Sequence, residues 1–306
     1  MQHIDQSPLP SKQKMGRNAN FIFIFFFILC IAPQKIQCKV HDAKEHPPHS
    51  GNFAIPGKGP HPLLSFGENI LPEGKVGSAV FADTRQAQSA NVTEILPVVA
   101  CGLRKDVSVL VAASTVLDSP LGVGVTDIVI QFEHALYAKK TSTFTEQATI
   151  VVNAGLPING AAAPQRLYIS TSGFFMGATY NRTYTDWVFF TSYGGSLSTT
   201  KDEIKFGNAF LYQAGIGRNI LGIRDEYLLT GLVELTGTYK GQTLIANIVY
   251  PNSGGNTVFV TPSLIFATKR ATFHVGMGFP VQQNLLGEQS RRQYILAGAI
   301  SWAYDQ

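Results

Sequence analysis

Over roughly the last fifty residues of this chain, bulky apolar side chains fall on every second position. Phe273, Val275, Met277 and Phe279 alternate with Thr272, His274, Gly276 and Gly278. Further on, Tyr294, Leu296, Ile300, Trp302 and Tyr304 alternate with Gln293, Ala297, Ala299 and Ser301. A period of two puts the two sets on opposite faces of a strand. A greasy face backed by a small, polar one predicts a barrel strand with lipid outside and a lumen inside.

The same reading upstream predicts strands over 75–85, 94–103, 107–116, 123–138, 144–155, 165–180, 185–197, 204–217, 226–236, 257–267, 271–282 and 292–304. The breaks between them alternate. One set is short and mostly basic: Arg104 to Asp106, Lys139 to Thr141, Asn181 to Thr183, Arg218 to Asp225, and Lys269-Arg270. The other set is mostly longer: 86–93, 117–122, 156–164, 198–203, 237–256 and 283–291. Short periplasmic turns opposite longer external loops are expected of an outer-membrane barrel, and an even strand count returns both termini to the periplasm. The expected fold is all-β: a transmembrane antiparallel up-and-down β-barrel of about twelve strands, with ten or fourteen as alternatives.

Polar residues inside these runs sort to one face. Asp127, Gln131 and Glu133 oppose Ile128, Ile130, Phe132 and Leu136. Lys205 and Gln213 oppose Phe206, Phe210 and Tyr212, and Thr230 and Glu234 oppose Tyr227, Leu229, Val233 and Leu235. A carboxylate in hydrocarbon is costly, so these faces should turn inward. The lumen-lining candidates are Asp127, Gln131, Glu133, Gln213, Thr230, Glu234 and His274. The pairs Phe174-Phe175 and Phe189-Phe190 spoil the alternation in their strands.

Composition narrows the class. Charged residues make up 14% of the chain, against roughly 25% in ordinary globular proteins. Glycine is abundant, with 29 residues, and mean hydropathy is +0.08, too low for a polytopic helical membrane protein. Outside the N-terminus, no apolar run approaches the ~20 residues a spanning helix needs. A large secreted β protein would share these traits. No basic, aromatic-interleaved patch points to nucleic acid.

The N-terminus does carry an apolar run, Phe21 to Ala32, preceded by Lys12, Lys14 and Arg17. A basic segment and a short apolar core predict a secretory signal. Residues 1–38 are assigned to it, with Met15 as an alternative start and cleavage after either Ala32 or Cys38. Residues 39–73, rich in Pro and His, are expected to form a periplasmic arm or plug, and residues 74–306 the barrel. His41, His46 and His49 are weak metal candidates; their spacing matches no zinc signature, and a solvated linker is the expected reading. Of the three cysteines, Cys30 lies in the signal core, Cys38 near the cleavage region and Cys101 in an apolar strand, which implies no disulfide framework. No Gly-x-Ser-x-Gly motif marks a nucleophile. Neither an enzyme nor a cofactor is expected.

Several segments recur in a recognisable order: Leu71-Pro-Glu-Gly74, Gly122 to Asp127, Gly207 to Gln213, Asn252 to Gly255, Thr261-Pro262 and Phe279 to Gln283. In that order the chain resembles the MetA-pathway phenol-degradation family of outer-membrane proteins. The likeness spans roughly residues 70–304. It implies an outer-membrane, porin-like channel passing a small, hydrophobic or aromatic compound, with no catalytic residues. Outer-membrane lipid and the barrel-assembly machinery are the implied partners, with a small-molecule solute as cargo. The alternative is a non-transporting surface barrel with a structural role, or with loops 156–164 and 237–256 binding a partner.

Overall fold

The computed structural model describes residues 70–304 apart from 88–90, 119–123, 158–172, 202 and 224–225. The expected signal segment, the arm up to residue 69 with its three histidines, and most of loop 156–164 lie outside the described residues.

Twelve long strands close into one barrel: β1 (Val76–Ala87), β2 (Asn91–Arg104), β3 (Val107–Asp118), β4 (Gly124–Lys140), β5 (Phe144–Pro157), β6 (Gly173–Tyr184), β7 (Trp187–Ser198), β10 (Ala209–Ile223), β11 (Tyr227–Lys240), β14 (Gly255–Thr268), β15 (Ala271–Leu285) and β16 (Arg292–Ala303). Each pairs antiparallel with its neighbour along the chain, and β1 closes on β16 from Gly77↔Ala303 to Ala87↔Arg292. Closure leaves no long edge strand with unpaired backbone groups, a requirement for a sheet in lipid. No helix occurs among the described residues. The expected all-β up-and-down barrel is therefore the fold.

Two longer connections at one end pair with each other. Short strands β8 (Thr200–Lys201), β9 (Ile204–Lys205), β12 (Leu244–Ile245) and β13 (Ile248–Val249) form a small sheet in the order β13-β12-β9-β8. Among the described residues the other end carries tight links: 105–106, 141–143, 185–186 and 269–270.

Three sequence expectations shift. Strand β6 is described over 173–184 and runs past its expected end at 180, its expected start at 165 lying outside the described residues, and β10 occupies 209–223 rather than 204–217. Asn181 to Thr183 and Arg218 are therefore in strands, not turns, and Lys205 sits in the small sheet. Arg182 stays in a strand because its neighbours serve it there. Its guanidinium lies 4.1 Å from the Phe144 ring centroid and 3.9 Å from Glu146 Oε2. Glu146 in turn accepts hydrogen bonds from Tyr137 (2.6 Å) and Tyr180 (3.0 Å). Finally, Cys101 is disulfide-bonded, a bond that the placement of the three cysteines did not imply.

Burial follows the period of two. Phe273, Val275, Phe279, Leu296, Ile300 and Trp302 are exposed on the outer face, while His274, Gly276, Gly278, Ile295, Ala297 and Ser301 are buried. A bulge between Ala135 and Tyr137 lets Leu136 and Tyr137 both face outward. The paired phenylalanines obey the rule too. Phe174 and Phe189 are exposed outside; Phe175 and Phe190 are buried inside. The inner rings lie flat against the wall over Gly194 and Gly215, where any Cβ would collide with them. Glycine at these two positions is what lets a bulky ring occupy the inner face without crossing the bore.

The segment ahead of β1 also enters the barrel. Leu71 is fully buried among Ala79, Val98, Ala100, Leu110 and Ala112, and its N–H donates to Ser108 Oγ at 2.7 Å. Gly74 N–H donates to Gly102 O, and Gly102 N–H to Lys75 O, both at 2.9 Å. These bonds clamp the segment to β2.

Candidate functional site

The closed barrel has one interior, and the polar residues of alternate strand positions meet there. Glu133 on β4 is fully buried and accepts a 2.7 Å hydrogen bond from Gln131 Nε2; Gln131 Oε1 accepts one of 3.1 Å from Asn153 of β5. The result is a relay of amides ending on a carboxylate, which supplies the partners a buried charge requires. Asp127 is half-buried on the same parity, opposite Ser114.

On the other side, Glu234 of β11 and His274 of β15 are both buried. His274 Nε2 lies 2.9 Å from Ser263 Oγ and 3.9 Å from Glu234 Oε1. Ser, His and Glu thus converge, but not as a nucleophilic triad. In a triad the acid holds the opposite ring nitrogen from the one that serves the hydroxyl; here both approach Nε2. Thr230 is buried and donates to Asn219 Oδ1 at 2.7 Å. Gln213, also buried, has neither amide atom bonded to protein, and the hydroxyls of Thr179, Thr236 and Thr261 share that condition among the described residues. Buried polar atoms are ordinarily satisfied, so these four side chains call for water or a solute.

All seven lumen candidates named from the sequence therefore sit on inward parity: Gln131 with Glu133, Glu234 beside His274, Thr230 bonded to Asn219, Gln213 on the unbonded strip and Asp127 opposite Ser114. Reasoning from sequence missed Asn153, Asn219 and Ser263, although counting in twos along each strand would have found them. It also missed the interior apolar groups. Phe259 packs with Ile295 and Ala297, and Phe190 packs with Leu232 and Ile265. The lining is mixed rather than uniformly small and polar.

A further set of charged groups lies toward the end opposite the short turns. Arg85 Nε lies 2.8 Å from Asp83 Oδ1, and its Nη2 lies 3.5 Å from Oε2 of Glu94, whose Oε1 accepts from Ser114 Oγ. Arg292 opens β16 beside them, with its guanidinium 5.9 Å from the Phe259 ring centroid. Lys240 ends β11 with its ammonium 5.5 Å from the Phe206 ring centroid. The described residues contain no cluster of metal-ligating side chains.

No protein-family model matches the chain, and no curated protein does. Solved structures match it. A COG4313 outer-membrane channel from Pseudomonas putida F1 is 13% identical, with a TM-score of 0.58 over 76% of this chain and 97% of its own. The NanC porin is 10% identical, with a TM-score of 0.48 over 75% of this chain and 100% of its own. The KdgM porin is 9% identical, with a TM-score of 0.42 over 74% and 99%. At such identities the likeness to the first concerns the fold alone, and the other two are too distant to argue from. Outer-membrane barrel channels and porins are among the structural neighbours; the phenol-degradation family is not matched by a model.

Proposed function

We propose that this protein is an outer-membrane channel for passive diffusion of a small, hydrophobic or aromatic compound, as the resemblance to the phenol-degradation family implies. The observation that carries the reading is the combination of an apolar outer band with an interior whose unbonded polar atoms form a strip from Thr179 to Thr261. The outer band suits lipid contact, and the strip suits a hydrated path. On this reading residues 1–38 direct export, the barrel-assembly machinery inserts the barrel, and no residue acts as a catalyst. The test is solute flux. Purified, folded protein in liposomes should speed the entry of small aromatic solutes; flux equal to empty liposomes across a solute panel would end the channel reading.

A second reading is favoured by two observations. Leu71 fills part of the bore, and the β12–β13 hairpin exposes Ile245, Ile248, Val249 and Tyr250, with Ile248 at 72%. A surface barrel that binds a partner through this loop would account for both. Deleting 244–249 would then abolish partner binding while leaving liposome flux unchanged.

A further inference from the structure

On the outer wall, toward the end with the short turns, the strands set cations among aromatic rings. Even positions of β6 and β10 and odd positions of β7 face outward there. The ladders then place two rows side by side. Arg182, Phe189 and Ile216 are cross-strand neighbours in one, and Trp187 and Arg218 are directly paired in the next. Trp187 stacks on Phe189 with ring centroids 6.4 Å apart, and Tyr184 meets Phe189 edge-on at 6.2 Å. The Arg218 guanidinium lies 5.4 Å from the Trp187 ring centroid. Rings and cations at one level mark where a barrel wall passes from hydrocarbon to headgroups.

Between these rings the wall is hollow. A groove of about 610 Å³ is lined by Tyr184, Trp187, Phe189 and Ile216 together with the turn residues Thr143 and Asp186. The charges beside it differ in their commitments. Arg182 has Glu146 Oε2 at 3.9 Å. Arg218 and Asp186 have no ion-pair partner among the described residues. The fold nevertheless holds their backbones together. Asn219 N–H donates to Asp186 O at 2.9 Å, and Asn219 Nδ2 donates to Thr185 O at 2.7 Å. A cation and a carboxylate thus stand beside one apolar groove. A lone anion would use the cation alone, and a hydrocarbon chain the rings alone. A phosphate next to a primary amine, carried on an acyl tail, would use all three.

We propose that this groove binds an aminophospholipid, with the phosphate on Arg218, the primary ammonium on Asp186 and an acyl chain along Phe189 and Ile216. The site rests on the barrel standing in lipid, but not on the bore conducting.

The test is fluorescence quenching by brominated lipids in phosphatidylcholine vesicles. Trp302→Phe leaves Trp187 as the reporter in the groove; Trp187→Phe leaves Trp302, on β16 at the same end, as the reporter of unselected lipid. At Trp187, brominated phosphatidylethanolamine should bind about fivefold better than brominated phosphatidylcholine, and better than brominated phosphatidylglycerol, which lacks the amine. At Trp302 the three should quench alike. Arg218→Gln or Asp186→Asn, added to Trp302→Phe, should abolish the preference, and Arg104→Gln, at the turn end of β2, should leave it intact. Fold is checked in each by heat-modifiable gel migration; should Arg218→Gln misfold, Asp186→Asn, in an exposed turn, carries the comparison. Equal quenching of Trp187 by the three lipids, or a preference for phosphatidylglycerol, overturns the proposal, as does a preference that survives both substitutions. Soluble phosphoethanolamine should not relieve the quenching; relief would overturn the part given to the acyl chain. Solute flux without lipid preference defeats the site and leaves the channel reading standing. Trp302 unquenched by every lipid would defeat the membrane reading and the site together.

Discussion

Replacing Gly102 with alanine probes how strongly the segment before β1 is held in the barrel. An ideal Cβ at this position would lie 2.7 Å from Leu71 O and 2.8 Å from the Pro72 carbonyl carbon, where ordinary contact begins at 3.4 Å. The gap to Leu71 O must therefore open by at least 0.7 Å (3.4 minus 2.7). The obstructing atoms belong to backbone and cannot rotate away. The segment has to retreat, and Leu71 goes with it. Withdrawing a fully buried leucine costs about 1.5–3 kcal/mol. The bond from its N–H to Ser108 adds about 0.5–1.5 kcal/mol. The sum is a destabilisation of about 2–4.5 kcal/mol. Gly155→Ala is the control: it also faces inward, but its nearest atom would be 4.0 Å away. Alanine there should stabilise by about 0.4–1 kcal/mol by restricting the unfolded chain.

The assay is urea unfolding in phospholipid vesicles, followed by the fluorescence of Trp187 and Trp302, the chain's two tryptophans. Leu71→Ala alone should cost about 2–5 kcal/mol. Combined with Gly102→Ala it should add almost nothing, because the leucine has already left its seat. A Gly102→Ala variant as stable as Gly155→Ala refutes the steric argument, and full additivity with Leu71→Ala refutes the claim that retreat is the cause.

Three further substitutions test other parts of the wall. Gly215→Ala should lift the Phe190 ring off the inner face, costing about 1–3 kcal/mol by overpacking; Phe190→Ala in the same background should show strong coupling in the unfolding titration. Leu296→Arg places a cation near the middle of the outer face and should cost about 2–4 kcal/mol in vesicles, with a much smaller effect in detergent micelles. Ser263→Ala removes the hydroxyl partner of His274 Nε2 and should cost about 0.5–1.5 kcal/mol, measured in the same titration.

How much of this was legible beforehand depended on length scale. The strand count and the inward set followed from a period of two, because burial in a closed sheet repeats with that period and little else competes with it. The ends of β6 and β10 did not follow. Arg182 and Arg218 look like turn residues, yet each lies over an aromatic neighbour: Arg182 over Phe144 and Tyr184, Arg218 over Trp187 at 5.4 Å. Phe144 and Trp187 come from adjacent strands and are invisible to a one-dimensional pattern. The same holds for Phe175 and Phe190. Their neighbours Phe174 and Phe189 mask the alternation, and the glycines that seat the inner rings lie one strand away.

The interior is not symmetric, and the asymmetry decides where a solute path can run. Leu71 and the cluster of Ala79, Val98, Ala100, Leu110 and Ala112 fill the side built by β1, β2 and β3. On the opposite side, the inner phenylalanines lie flat over glycine, and Gln213, Thr236 and Thr261 leave polar atoms unbonded to protein. A hydrated path requires such atoms and tolerates no packed apolar plug, so the channel reading puts the path along β6 to β14. It predicts that Thr238→Cys, half-buried on the inward face of β11, reacts with a membrane-impermeant thiol reagent added to proteoliposomes and that the adduct blocks flux. Leu110→Cys, sealed within the cluster, should stay unmodified under the same exposure. Equal labelling of both positions would show the two sides to be equally open. Labelling of neither, in protein that still carries solute, would mean the path avoids both walls and that the unbonded polar strip has some other purpose.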